Sequence, residues 1–157
     1  MARYAARVLD ALLTYLPTAI ETQIGIIETE ELITLPNIYD YRVGEWFELN
    51  LSPFVFMYTD KMEKVSPAGQ RNIIYDVTSI LCLRYKMSPD IANDSKTVLH
   101  YLTAIIDAIN ADPTLGGLVS VCLINEISIG AIEQTDSSET SYGVTIDLTI
   151  RIHENPR

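Results

Sequence analysis

The chain has 157 residues and a mass of 17.6 kDa, is 48% hydrophobic and 20% charged, and holds seven Gly and seven Pro. That excludes a disordered, collagenous or low-complexity chain, and the length suits one domain, residues 1–157, with a core that needs no metal or disulfide staple. Twenty-one acidic against eleven basic residues give a net charge of −10, the wrong sign for a general nucleic-acid binder, whose affinity comes from cations neutralising phosphates.

The first predicted element is a helix. Ala5, Val8, Leu9, Leu12, Leu13 and Leu16 recur at spacings of three and four, the stripe of an amphipathic helix. Pro17 is expected to end or kink it. A second helix is expected over residues 18–32, with Ile20, Ile24, Ile27 and Glu31 on one face and Thr18 with Glu21 as a capping box. Residues 36–48 read as irregular, with the turn-like aromatic stretch Asn37-Ile38-Tyr39-Asp40-Tyr41. Residues 46–51 alternate, with Phe47, Leu49 and Leu51 on one side. Phe54-Val55-Phe56-Met57-Tyr58 is a continuous apolar run, the mark of a strand covered on both faces, and the polar residues 59–69 read as a loop.

Residues 73–85 read as a long strand, with Ile73, Tyr75, Val77, Leu81 and Leu83 on one face and Asp76, Thr78 and Arg84 on the other. Ser88-Pro89-Asp90 reads as a helix start, Ser88 as cap and Pro89 at the first helical position. Val98, Leu102, Ile105, Ile106 and Ile109 form that helix's inner stripe, and Asp112-Pro113 stops it. Residues 118–129 form an apolar, β-branched strand. Tyr142, Val144, Ile146, Leu148, Ile150 and Ile152 then alternate without a break, the strongest period-two signal in the chain. The two strands predict a long antiparallel hairpin around the acidic, Ser/Thr-rich residues 133–141. Strands in runs, not regularly alternating with helices, argue an α+β fold with a mainly antiparallel sheet.

The search for chemistry returns no catalytic constellation. His100 and His153 have no ligand partners at metal spacing and read as surface histidines, His153 just after the last strand. No serine carries a Gly-x-Ser-x-Gly elbow, and Cys82 and Cys122 form no Cys-x-x-Cys pair. Both cysteines lie in apolar runs and read as buried free thiols of a reducing compartment. Gly116-Gly117 follows a helix and precedes a strand, so it reads as a turn and not as a phosphate cradle. Glu28, Glu30 and Glu31 read as a solvated helix face. The nine tyrosines are scattered and read as core or interface amphipaths. The expectation is no catalytic, metal or cofactor site. No run of 18 apolar residues predicts a membrane span, and the N-terminal stretch, broken by Asp10 and Pro17, does not read as a signal peptide.

The layout has a family likeness. A leading amphipathic helix ends near Leu16-Pro17, and an apolar strand follows Pro53. Then come a long strand, the helix Tyr101-Leu102-Thr103-Ala104-Ile105-Ile106-Asp107-Ala108-Ile109, the turn Asp112-Pro113-Thr114-Leu115-Gly116-Gly117 and a terminal hairpin. This resembles the tail terminator (tail completion) proteins of long-tailed bacteriophages and related contractile injection systems. The likeness spans nearly the whole chain and is most specific over residues 101–117. It implies helices packed on a sheet and a non-enzymatic virion protein, made in the bacterial cytoplasm and placed at the tail–neck junction. It further implies a ring, usually of six copies, that caps the tail tube and meets the head-side connector, with the tail sheath as a further candidate partner. DNA would pass through the lumen without specific binding. Six copies at −10 carry about −60, a surface that repels phosphate. In that setting the acidic loop offers Glu133, Gln134, Asp136 and Glu139 as candidate ring or partner contacts. The alternatives are a head-completion or neck connector protein and, from another class, a small-ligand-binding or enzymatic α+β domain with a deep polar pocket.

Overall fold

In a computed structural model the described residues are 2–44, 52–66, 69, 73–133 and 140–154, with the side chains of 2, 3, 131–133, 140 and 154 excepted. They form α1 (Ala2–Glu31), β1 (Asp40–Val43), β2 (Phe54–Lys64), β3 (Ile73–Lys86), α2 (Ile91–Ala111), β4 (Val121–Glu133) and β5 (Thr140–Glu154). The fold is α+β, with two helices packed on a five-stranded sheet of order β1-β2-β3-β5-β4. Every strand pair is antiparallel except β1 with β2.

The helices cover one sheet face. Val55 and Met57 of β2, Val77, Leu81 and Leu83 of β3, and Val144, Ile146, Leu148 and Ile150 of β5 are all buried there. They meet Val8, Leu12, Leu16 and Ile20 of α1 and Val98, Tyr101 and Ile105 of α2. The unbroken alternation in β5 thus sorts its side chains between core and outer face, as the sequence predicts. Apolar area removed from water makes each such side chain worth about 1.5–3 kcal/mol. On the opposite face a smaller cluster buries Phe54, Phe56 and Cys82, so β2 is covered on both faces at its start. The Arg84 guanidinium lies over the Phe56 ring at 5.3 Å. Further along that face Asp76 and Arg151, direct cross-strand partners, form a two-pronged ion pair at 2.8 and 3.0 Å.

Several boundaries differ from expectation. The two predicted N-terminal helices are one, with Pro17 inside it. Proline removes one backbone bond and costs about 3 kcal/mol in a helix interior. Leu12 and Leu16 before it, and Ile20, Ile24 and Ile27 after it, are buried on one continuous stripe, and their combined burial outweighs that cost. Thr18 and Glu21 therefore cap nothing, and the Thr22 hydroxyl donates to the Thr18 carbonyl inside the helix. Glu31 is exposed.

Residues 59–64, read as loop, continue β2 past a register shift between Thr59 and Lys61. Asp40–Val43, read as turn, is a short parallel strand. The cap of α2 is Asp90, not Ser88, and its carboxylate accepts from the Asn93 amide at 3.2 Å. His153 lies within β5, opposite Ile74. Residues 133, 140 and 141 belong to the hairpin strands, and Ser141 is buried. The alternating stretch 46–51 lies outside the described residues, apart from which the hairpin and β3 fall close to where they are predicted.

Candidate functional site

The sheet order leaves β4 as an outer strand. Its inner side pairs with β5 along its whole length, and among the described residues no strand pairs with its outer side, where the turn after α2 takes only the Cys122 amide. Beyond Cys122 the strand leaves about 35 Å of edge that no other strand pairs with.

A bulge decides which side chains β4 presents. Ile124 is opposite Leu148 and Glu126 is opposite Asp147, which leaves Asn125 as the extra residue. Its side-chain amide donates to the Thr149 hydroxyl. Strict alternation from Cys122 and Ile124 would turn Glu126 and Ser128 toward the helices. The extra residue reverses the parity, so Ile127 faces with Ile146 and Ile129 with Val144, both core residues of β5. The bulge thus keeps a run of apolar side chains on the helix-facing side.

The helical layer covers them only in part. The helices pack mainly against the other four strands. At the start of β4 the turn after α2 provides cover: the Cys122 amide donates to the Pro113 carbonyl at 2.7 Å, and Cys122, Leu115 and Val119 are buried. Cover then thins along the strand, so that Ile124 is half-buried, Ile127 is 36% exposed and Ile129 is 43% exposed. On the opposite face Leu123 is 53% exposed. Between Val121 and Ile132 the strand carries one ionised side chain, Glu126.

The opposite margin of the sheet is built differently. Beyond its pairing with β1, β2 carries Asp60, Lys61, Glu63 and Lys64 together with a bulge. Charge and a bulge are how edges are kept from pairing with other chains. β4 has the bulge but fewer charges, Glu126 beside the bulge and Glu133 at its end. Its outer edge and its partly exposed isoleucines form the candidate site, an edge of the kind that another chain can pair with.

The turn that leads into β4 is fixed locally. The Asp112 carboxylate accepts from the Thr114 amide at 3.0 Å, the Thr114 hydroxyl at 2.6 Å and the Gly116 amide at 3.0 Å. These bonds, led by the Thr114 hydroxyl, hold its carboxyl below the usual carboxylate range. Leu115, Gly116 and Gly117 all take positive φ (51°, 73° and 82°), the left-handed region that favours glycine. This is the turn that the Gly-Gly pair predicts.

The residues singled out for chemistry are scattered. Both cysteines are buried free thiols, and burial pushes Cys122 up to about 12, away from thiolate chemistry. His100 is on α2 and His153 on β5, and among the described residues no three His, Cys, Asp or Glu side chains converge for a metal. Glu28 is half-buried, and its carboxylate accepts from the Leu35 amide at 3.0 Å as the chain leaves α1. Of the loop candidates, Gln134, Asp136 and Glu139 lie outside the described residues, as does the side chain of Glu133, the last residue of β4.

Open clefts among the described residues include the following two. One, of about 460 Å³, lies by Pro36, Pro53, Tyr85 and Pro89. The other, of about 580 Å³, lies between α1 and α2. Sequence reasoning missed the β4 edge. Its signal, β-branched residues almost free of charge, is present over residues 121–132, but only the strand order shows which side is left open. No protein-family model matches the chain, and comparison with curated proteins finds no match either.

Proposed function

We propose that this chain is a ring-forming structural subunit of a phage-type tail, a tail terminator that caps the tail tube and meets the head-side connector. The observation that carries the reading is the open β4 edge with Ile127 and Ile129 partly exposed beside it. A closed ring repeats one heterologous contact, and an open edge bordered by apolar side chains is a surface that such a contact buries. The layout of the chain, above all residues 101–117 with their helix and double-glycine turn, supports the same reading. So does the charge: a lumen for DNA needs walls that do not grip phosphate, and each copy carries −10. In this reading the sites of action are the neck of the virion and, before assembly, the bacterial cytoplasm. The 134–139 segment, which joins β4 to β5 in the sequence, is a second stretch through which a neighbour or the connector would be met.

The test is mass in solution by light scattering over rising protein concentration, followed by class-averaged electron micrographs. The expected result is growth toward a closed ring, abolished by Ile127→Lys with Ile129→Lys while the thermal melt is retained. A monomer at every concentration, together with a single copy per purified tail, would overturn the proposal.

A further inference from the structure

The seam between the two helices carries an observation that the ring reading does not use. α1 and α2 run antiparallel: the Tyr15 hydroxyl donates to the Ala108 carbonyl at 2.8 Å, while the cleft sets Gln23 to Glu31 of α1 against Leu99 to Asp107 of α2. The cleft of about 580 Å³ opens on the side of the helices away from the sheet core. Ile26 and Leu99, one from each helix, reach into it 44% and 47% exposed. Glu30, Glu31 and Asp107 stand around them, all exposed, and His100 is half-buried between. Among the described residues lining the cleft there is no Lys or Arg.

This arrangement is unfavourable for an isolated monomer. α1 ends in Glu28, Glu30 and Glu31, with no basic residue in its last turn, so carboxylates crowd the negative end of the helix dipole. Asp107 adds a like charge from across the seam. Two large apolar side chains are left in water beside them. A partner that supplies cations and apolar contact together relieves both.

We infer that the α1–α2 seam is a docking groove for a basic amphipathic helix of another protein. A seam between two antiparallel helices accepts a third helix at ordinary packing distance. Its apolar residues at helical spacing cover Ile26 and Leu99, and flanking Lys or Arg residues meet Glu30, Glu31 and Asp107. The groove lies in the helical layer and β4 at one margin of the sheet, so the inference does not depend on ring formation.

The probe is a Leu/Lys peptide of about 18 residues with leucines at helical spacing. It is titrated into the full chain, with the isoleucine and leucine methyl resonances read by NMR. Shifts should concentrate at Ile26, Ile27 and Leu99. The variant Glu30→Gln/Glu31→Gln/Asp107→Asn should bind about tenfold more weakly, as the loss of three exposed ion pairs implies. A control variant, Asp10→Asn/Asp60→Asn/Glu63→Gln, has the same net charge and should stay within about twofold of the native protein. Circular dichroism checks that both variants keep the native helical signal. Equal weakening in the two variants would reduce the effect to net charge and overturn the proposal. Methyl shifts at the groove that follow protein concentration without peptide would give it to a second copy of the chain and overturn it equally.

Discussion

Leu148 gives the sharpest test of how the sheet is held. It is fully buried on the helix-facing side of β5, opposite Ser79 on β3 and Ile124 on β4, between Ile146 and Ile150 on the same face. Leu148→Ala removes three buried carbon atoms and leaves a cavity in a sheet hydrogen-bonded on both sides. Such changes cost about 2–5 kcal/mol, most where the surroundings cannot collapse. At about 2–4 °C per kcal/mol for a chain of this size, a loss near 3 kcal/mol lowers the melting temperature by about 6–12 °C. Leu123→Ala deletes the same atoms from a half-exposed site on the outer strand and should cost about 0.5 kcal/mol or less. Leu148→Asp goes further: an unpaired buried charge costs several kcal/mol beyond the cavity, a large part of the whole stability of a typical domain, and should prevent folding. Thermal unfolding followed by circular dichroism at low protein concentration measures all three without a contribution from association. Equal losses for Leu148→Ala and Leu123→Ala, or a native-like melt for Leu148→Asp, would refute the packing argument.

Two further outcomes follow from local structure. Pro17→Ala restores a backbone donor inside α1 and should raise the melting temperature, by the equivalent of about 1–3 kcal/mol; a fall would show that the path of the helix depends on the proline ring. Asp112→Asn should lower the melting temperature at neutral pH, because the ionised carboxylate accepts three bonds. The folded-state value lies below the ordinary 3.8, so this contribution is present above that pH and is lost as pH falls through the folded value. The gap between native and variant melting temperatures should therefore close in acid, and a gap that stays constant down to about pH 2 would contradict the assignment.

The parts of the fold that could be read from the sequence are those whose pattern and burial agree locally. β5 shows its alternation because one face is core and the other is not. α2 shows its stripe for the same reason, and the double glycine marks its turn because positive φ is needed there. The misreadings have non-local causes. Pro17 sits in a stripe that is buried on both sides of it, so tertiary burial overrides a local breaker. Asp40–Val43 is a strand because β2 lies beside it, and nothing in four residues says so. The charged half of β2 looks like loop because it borders an edge, where charge belongs. Ser88 and Asp90 are both plausible caps, and the choice falls to Asp90 while the Ser88 hydroxyl accepts from its amide. For the candidate site the obstacle is topology. A hairpin of β4 and β5 could dock through either strand, and only docking through β5 leaves β4 open. The bulge at Asn125 adds a parity change that strict alternation hides.

The two surfaces proposed for contact use opposite chemistry on one acidic molecule. Copies carrying −10 repel one another, and in the proposed β4 contact backbone pairing and apolar burial would oppose this repulsion, with Glu126 and Glu133 the carboxylates on the strand. At physiological salt the screening length is about 8 Å, so added salt weakens the repulsion between copies and leaves the apolar contact intact. The proposed self-association through β4 should therefore strengthen as ionic strength rises. The helix seam behaves in the opposite sense, because Glu30, Glu31 and Asp107 attract a basic partner through the same field that salt removes. The two proposals thus predict opposite responses to salt, and the salt dependence of any contact measured would report which surface is engaged.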